Sequence, residues 1–62
     1  MKVKYVVLFV VNGRHNHVEF ARGQKAEAIA AYKNIRMRAD WIKLLSIDSD
    51  DSDIVYDLSN NY

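Results

Sequence analysis

The chain has 62 residues, no cysteine and a net charge of +1. A chain of this length forms one domain at most and buries only about 60% of the surface that its unfolded form exposes, so its core is thin. Because disulfides and cysteine-rich zinc sites are excluded, we expect association of two copies to supply the apolar burial that one chain lacks.

The composition predicts a soluble cytoplasmic protein. Half of the residues are hydrophobic, as is typical of globular proteins. The apolar run from Val6 to Val11 has only six residues, too few to span a bilayer. A signal peptide fits poorly, because no small-x-small cleavage site follows that run.

The first third of the chain predicts a β-hairpin. Residues 2–11 are rich in β-branched and aromatic side chains and lead into Asn12-Gly13, the dipeptide most favourable for a two-residue type I′ turn. Pairing across this turn places Val11 opposite Arg14 and Tyr5 opposite Phe20. One face then collects the predicted core residues Val3, Tyr5, Val7, Phe9, Val11, Val18 and Phe20.

The other face of this hairpin is half apolar. It carries Lys4, Val6, Leu8 and Val10 from the first strand and His15, His17, Glu19 and Ala21 from the second. A few exposed valines would be ordinary on a protein surface. A strand that is apolar on both faces, however, is usually covered on both, so we expect Val6, Leu8, Val10, His15, His17 and Glu19 to form a dimer or partner interface.

Residues 24–40 are predicted to form the helix. They are strong helix formers, with Gly23 as the expected cap and apolar residues at Ala28, Ile29, Tyr32, Ile35 and Ala39 in helical spacing.

The segments 41–48 and 54–58 predict a second hairpin around a polar loop. With Ile47 opposite Ile54, the core face would receive Trp41, Leu45, Ile47, Ile54, Tyr56 and Leu58, and the last residues, 59–62, would be frayed. The fold class is then α+β: a ββαββ chain, single domain over residues 1–62, whose two hairpins form one antiparallel four-stranded sheet with one helix on one face. A right-handed crossover favours the strand order 2-1-3-4.

Two motifs are candidate cation sites. His15, His17 and Glu19 project from one face and could share a metal ion, but their cross-strand neighbours Val10, Leu8 and Val6 supply no ligand, so we expect an interfacial strand face and no metal. The run Asp48 to Asp53 superficially resembles a calcium loop. It has Asp53 where that loop needs Gly and Ser59 where it needs Glu, so a solvated loop is the better interpretation.

The charge distribution raises a second functional hypothesis. Residues 1–43 carry +6, from nine basic and three acidic residues, whereas residues 44–62 carry −5. The candidate nucleic-acid contacts are Arg14, Arg22, Lys25, Lys33, Arg36 and Arg38. Lys and Arg on a helix are more often a solvated face, so nucleic-acid binding by the basic helix stays the alternative.

Catalysis has few candidate groups. There is no cysteine, the serines lie far along the chain from the two histidines, and two glycines cannot build a phosphate loop. We therefore expect no enzymatic activity and no cofactor. The leading hypothesis is a homodimeric protein-binding or regulatory module, of the size typical of accessory proteins encoded by bacteriophages or mobile elements.

Overall fold

The structure is a computed structural model that describes residues 3–48 and 54–62. In chain order the elements are β1 (Val3–Val11), β2 (Arg14–Phe20), a first 3₁₀ helix (Arg22–Gln24), α1 (Lys25–Arg36), β3 (Trp41–Asp48), β4 (Val55–Asp57) and a second 3₁₀ helix (Ser59–Asn61). The strands form one antiparallel sheet in the order β2-β1-β3-β4, and α1 packs on one of its faces. This is the predicted ββαββ architecture and strand order. The residues of the acidic loop after Asp48 lie outside the described residues.

The first hairpin forms in the predicted register. Val11 pairs with Arg14 and Tyr5 with Phe20. Asn12 has φ 53° and Gly13 has φ 77°, the two left-handed conformations that a type I′ turn requires. The two-residue turn fixes which residues face each other along the whole length of both strands.

The helix is shorter than predicted at its C-terminal end. α1 stops at Arg36, where the carbonyl of Ile35 accepts hydrogen bonds from the N–H groups of both Arg38 and Ala39. The chain must then turn into β3, and the N–H of Asp40 donates to the carbonyl of Val10 at 2.8 Å. These bonds replace the last helical turn that the sequence pattern indicated.

The start of the helix also differs from the prediction. Gly23 lies inside the first 3₁₀ helix, and Gln24 is the residue that caps α1. The Gln24 side-chain oxygen accepts a 2.9 Å hydrogen bond from the N–H of Ala21, and the Gln24 N–H donates to the carbonyl of Ala21. A 3₁₀ turn closed by a glutamine thus takes the place of the expected glycine cap.

The core lies between α1 and the two central strands. Val7 and Leu44 are cross-strand partners with no exposed surface, and they pack with Ala28 and Tyr32 of α1. Each fully buried Val or Leu side chain contributes about 1.5–3 kcal/mol relative to an exposed one. Around this centre pack the half-buried residues Tyr5, Phe9, Phe20, Ile29, Ile35, Ile42, Leu58 and Tyr62. The first-hairpin core prediction is thereby confirmed at Tyr5, Val7, Phe9 and Phe20, whereas Val18 is 38% exposed on the edge strand.

The prediction for β3 was wrong about which face turns inward. Leu44 and Ile42 pack on the core, so Trp41, Leu45 and Ile47 lie on the opposite side of the sheet. The second hairpin pairs Ile47 with Val55 rather than Ile54, one residue away from the predicted register. Because side chains alternate, a one-residue slip moves every side chain of a strand to the other face relative to its neighbour.

The last residues are ordered against the core, contrary to the expectation of fraying. The Ser59 hydroxyl oxygen accepts a 2.9 Å hydrogen bond from the N–H of Leu44, and the N–H of Leu58 donates to the carbonyl of Leu44 at 2.8 Å. Tyr62 packs on the core cluster, and its main-chain oxygen accepts a 2.6 Å bond from Arg36. These contacts close the core next to β4.

Candidate interaction face

One face of the sheet carries α1, and the other, here called the open face, is covered by no element of the described chain. The side chains that alternate away from Val7 and Leu44 make up this face. They are His15, His17 and Glu19 of β2, Lys4, Val6, Leu8 and Val10 of β1, Trp41, Lys43, Leu45 and Ile47 of β3, and Val55 and Asp57 of β4. All six residues predicted as a dimer or partner interface therefore lie on one surface.

The middle of the open face is apolar. Leu8 and Val10 of β1 and Leu45 and Ile47 of β3 lie on neighbouring strands and are only half-buried. Trp41 is 46% exposed and Val55 49% exposed at the margins of this group. Val6 is the exception, at 6% exposed, between Glu19 and Leu45 on the neighbouring strands. The apolar strip thus crosses the sheet from β1 to β4.

Two ion pairs lie on the open face, one at its margin and one that begins within the apolar strip, where Lys43 stands between Trp41 and Leu45 on β3. Lys4 Nζ donates to Glu19 Oε1 at 3.0 Å, and this contact lowers the pKa of the Glu19 carboxyl below its ordinary value. Lys43 Nζ lies 3.9 Å from Asp57 Oδ2. The pKa of the Asp57 carboxyl is lowered chiefly by hydrogen bonds from Ser59, with a smaller effect of Lys43. Because water screens exposed pairs of this kind, they add little to the stability of the fold.

A shallow depression lies at the hairpin end of the open face. It has a volume of about 280 Å³ and is lined by Leu8, Phe9, His15, Asn16, His17 and Trp41. Lys43 Nζ stands 5.7 Å from the centre of the Trp41 ring, at the border of the same region. The lining carries imidazole, amide and apolar groups but no hydroxyl, thiol or carboxylate, so these residues offer a contact surface rather than an activated nucleophile.

The three residues considered as metal ligands do not form a cluster of ligands. Within residues 3–48 and 54–62, no three His, Asp or Glu side chains are grouped closely enough to hold a metal ion. Glu19, the carboxylate of the set, is bonded to Lys4 instead. The absence of a metal role stays a prediction that elemental analysis can test.

The residues proposed for nucleic-acid contact are dispersed over the molecule. Lys33 Nζ lies 5.9 Å from the Tyr62 ring, and Arg36 both donates to the Tyr62 main chain and stands 5.5 Å from the Tyr32 ring. Arg14 begins β2 and Arg38 follows the helix, both at the hairpin end of the sheet. Arg22 and Lys25 lie at the start of the helix, which spans about 18 Å at 1.5 Å per residue. The six candidates are thus divided between the two ends of the helix.

Six residues of the open face were missed by the sequence reasoning, all of them from the second hairpin. They are Trp41, Lys43, Leu45, Ile47, Val55 and Asp57. The signal that could have found them is Lys43, which alternates onto the same face as Trp41 and Leu45. A lysine in the middle of that set indicates the solvent side, and Ile42 and Leu44 are the apolar alternative on the other side.

Within the described ranges, no helix is long and apolar enough to cross a membrane. Comparison with known proteins gives no match, whether with family models, with curated proteins or with solved structures. The open face and the charges around it are therefore the features from which function is inferred.

Proposed function

We propose that this protein is a small, non-enzymatic protein-binding module and that the open face is its binding surface. The observation that carries this proposal is the apolar strip of Leu8, Val10, Leu45, Ile47 and Trp41, which faces away from the helix and has no cover in the described chain. Contiguous exposed apolar surface with a polar rim is typical of interaction sites. A regulatory or accessory role in the cytoplasm, as small phage proteins have, belongs to the same proposal.

The charges of the open face favour a protein partner over nucleic acid. Lys4 is paired with Glu19 and Lys43 with Asp57, so the fixed charges on this surface balance. Nucleic-acid binding needs an excess of cations to displace phosphate counterions. An apolar surface whose few charges are balanced by ion pairs is instead typical of a protein interface.

The proposal can be tested with baits that differ at one position. A pull-down from the native host would use the wild-type chain, Leu8→Lys on the open face and Ala30→Lys on the exposed side of the helix. Both variants add the same charge, so folding is compared by circular dichroism before use. A partner should bind the wild type and Ala30→Lys, but its binding to Leu8→Lys should fall by about tenfold or more, since a charge would enter an apolar contact.

The interaction must then be reconstituted from the two purified proteins. A partner that binds Leu8→Lys as well as the wild type would place the binding surface elsewhere. Loss of binding only with Ala30→Lys would move the site to the helix and refute the proposal.

A further inference from the structure

The open face is arranged in four rows that cross the strands. From the hairpin end outward, the first row is His15, Val10 and Trp41, the second His17, Leu8 and Lys43, the third Glu19, Val6, Leu45 and Asp57, and the fourth Lys4, Ile47 and Val55. The two histidines and Lys43 are in the first two rows. Both carboxylates are in the third and Lys4 is in the fourth, so with neutral histidines the first two rows carry +1 and the last two carry −1, from two carboxylates and one lysine. The two halves of the face therefore differ in charge.

This separation of charge makes the face complementary to itself. Consider a two-fold axis that runs across the strands, parallel to the rows, between the second and third rows. In a copy that faces the sheet across this axis, the order of the rows is reversed. The second row then lies over the third row of the other copy, and the first row over its fourth. Leu8 meets Val6, Trp41 meets Ile47, and His17 meets Glu19, each contact occurring twice because a two-fold interface is isologous. The stems of Lys4 and Lys43 lie over Val10 and Leu45 in the same arrangement, with their ammonium groups directed to the edge of the contact.

We propose that the occupant of the open face is a second copy of this chain, packed in this antiparallel two-fold arrangement. In it, Lys43 of each copy approaches Asp57 of the other, which lies one strand aside in the facing row. The inference rests on the proposed function, since it names the partner of the same surface. A two-fold axis along the strands would instead stack each row on itself and bring like charges together.

The size of the face suits a reversible dimer. Four strands about 4.8 Å apart and about seven residues of 3.3 Å give a patch of roughly 440 Å² per copy. The accessible surface of the chain is 4384 Å², so this patch is about a tenth of it, although it is roughly half of the 800 Å² per partner of a standard interface. The total buried area comes to roughly 900 Å² plus the relief of the side chains, below the roughly 1,200–2,000 Å² of stable complexes and in the range of weak, transient ones. We expect a dimer that dissociates on dilution.

The sharpest test exchanges the charges between copies. Lys43→Glu and Asp57→Lys each place like charges at both symmetry-related contacts, so each variant alone should associate about tenfold or more weakly than the wild type. Mixed in equal amounts, the two should recover association. One of the two contacts then joins the glutamate introduced at position 43 to the lysine introduced at position 57, and the other keeps its native charges. The like-charge pair inside each chain persists in the mixture, so recovery can come only from contacts between chains.

Association is measured by sedimentation velocity from about 1 μM to about 1 mM, a range that covers weak and moderate affinities. If Asp57→Lys is unfolded by circular dichroism, His17→Glu and Glu19→Lys replace it at the other edge of the face. His17→Glu places like charges at both contacts, Glu19→Lys removes the native carboxylate, and the mixture joins the introduced glutamate to the introduced lysine. A mixture that associates no better than its components would overturn this arrangement.

Absence of the dimer and absence of the proposed function would give different experimental results. A chain that stays monomeric at about 1 mM, yet binds another protein in a manner sensitive to Leu8→Lys, overturns the second copy and leaves the function in place. A dimer whose affinity is unchanged by Leu8→Lys and by the charge exchange overturns the inference. If binding of a different protein is also unchanged by Leu8→Lys, the proposed function is refuted too.

Discussion

Two adjacent leucines of β3 separate the core from the open face. Leu44 is fully buried beneath α1, whereas Leu45 is half-buried on the opposite side of the sheet. The two share the same strand and the same β-propensity, so a comparison of their variants isolates the effect of the face. That comparison tests the register of β3 directly.

Leu44→Ala should lower the free energy of unfolding by about 2–5 kcal/mol, because it removes packed methyl groups and leaves a cavity. Leu45→Ala should cost about 1 kcal/mol or less when measured at a concentration where the chain is monomeric, because its side chain already contacts solvent. Urea unfolding followed by circular dichroism measures both. A larger loss for Leu45→Ala would mean that β3 presents the other face to the helix.

Two carboxylates report on their local partners through their pKa values. The pKa of Glu19 is lowered mainly by its hydrogen bond from Lys4, and that of Asp57 mainly by its hydrogen bonds from Ser59. Lys4→Met should therefore raise the pKa of Glu19 toward its ordinary value and leave that of Asp57 in place. Ser59→Ala should raise the pKa of Asp57 and leave that of Glu19 unchanged, so each variant is the control for the other.

The measurement is a carboxyl titration by NMR. The direction of the pKa shifts gives the sign of the effect on stability. A carboxyl whose pKa is lowered in the folded state stabilises the fold above its ordinary pKa, and this stabilisation is lost as the pH falls through the folded-state pKa. Both contributions therefore disappear only in the acid range. Equal shifts of Glu19 in the two variants would contradict the assignment of partners.

At the scale of elements, the turn between β1 and β2 explains why the first hairpin was predictable. Asn12-Gly13 accepts the two positive φ angles of a type I′ turn, and a two-residue turn leaves one register. Every pair from Tyr5 and Phe20 to Val11 and Arg14 followed from that constraint. The pairing of β1 with β3 and the strand order followed from the apolar character of β1 on both faces.

The second hairpin had no such constraint. Its connection is longer and contains no glycine to fix a turn type, so adjacent registers were equally compatible with the apolar pattern. Both faces of β3 carry large apolar residues, and their polar residues conflict: Lys43 marks one face as the solvent side, whereas Ser46 and Asp48 mark the other. The sequence pattern also did not predict that the last residues are ordered, because this depends on a hydrogen bond that Ser59 accepts from Leu44, which is distant in the sequence.

The turn makes a matched prediction with the two glycines of the chain. Gly13→Ala should destabilise the fold by about 1–2 kcal/mol, because its φ of 77° is unfavourable for a residue with a Cβ. Gly23→Ala should cause no loss, since Gly23 has no positive φ and a Cβ there meets no atom within 4 Å. Thermal unfolding of both variants provides the comparison. Equal losses would show that the strain assigned to the turn is absent.

At the scale of the whole molecule, the two sides of the sheet offer different surfaces. The helix side has dispersed basic residues, two of which contact Tyr62. The open side has an apolar strip and two ion pairs, one of which begins at Lys43 between Trp41 and Leu45. The sole tryptophan, Trp41, lies on the open side and is 46% exposed. Its fluorescence therefore reports which side of the molecule a binding event covers.

If two copies pack through the open face, the Trp41 side chain is transferred from water into contact with Ile47 of the other copy. Raising the protein concentration should then shift its emission to shorter wavelength and reduce quenching by acrylamide, because an indole in an apolar contact is shielded from solvent. Leu8→Lys provides the control, with emission independent of concentration. Nucleic acid held by the basic helix would leave Trp41 unchanged and dissociate with added salt. A dimer seen by sedimentation whose Trp41 emission never changes would place the interface away from the open face, whatever its affinity.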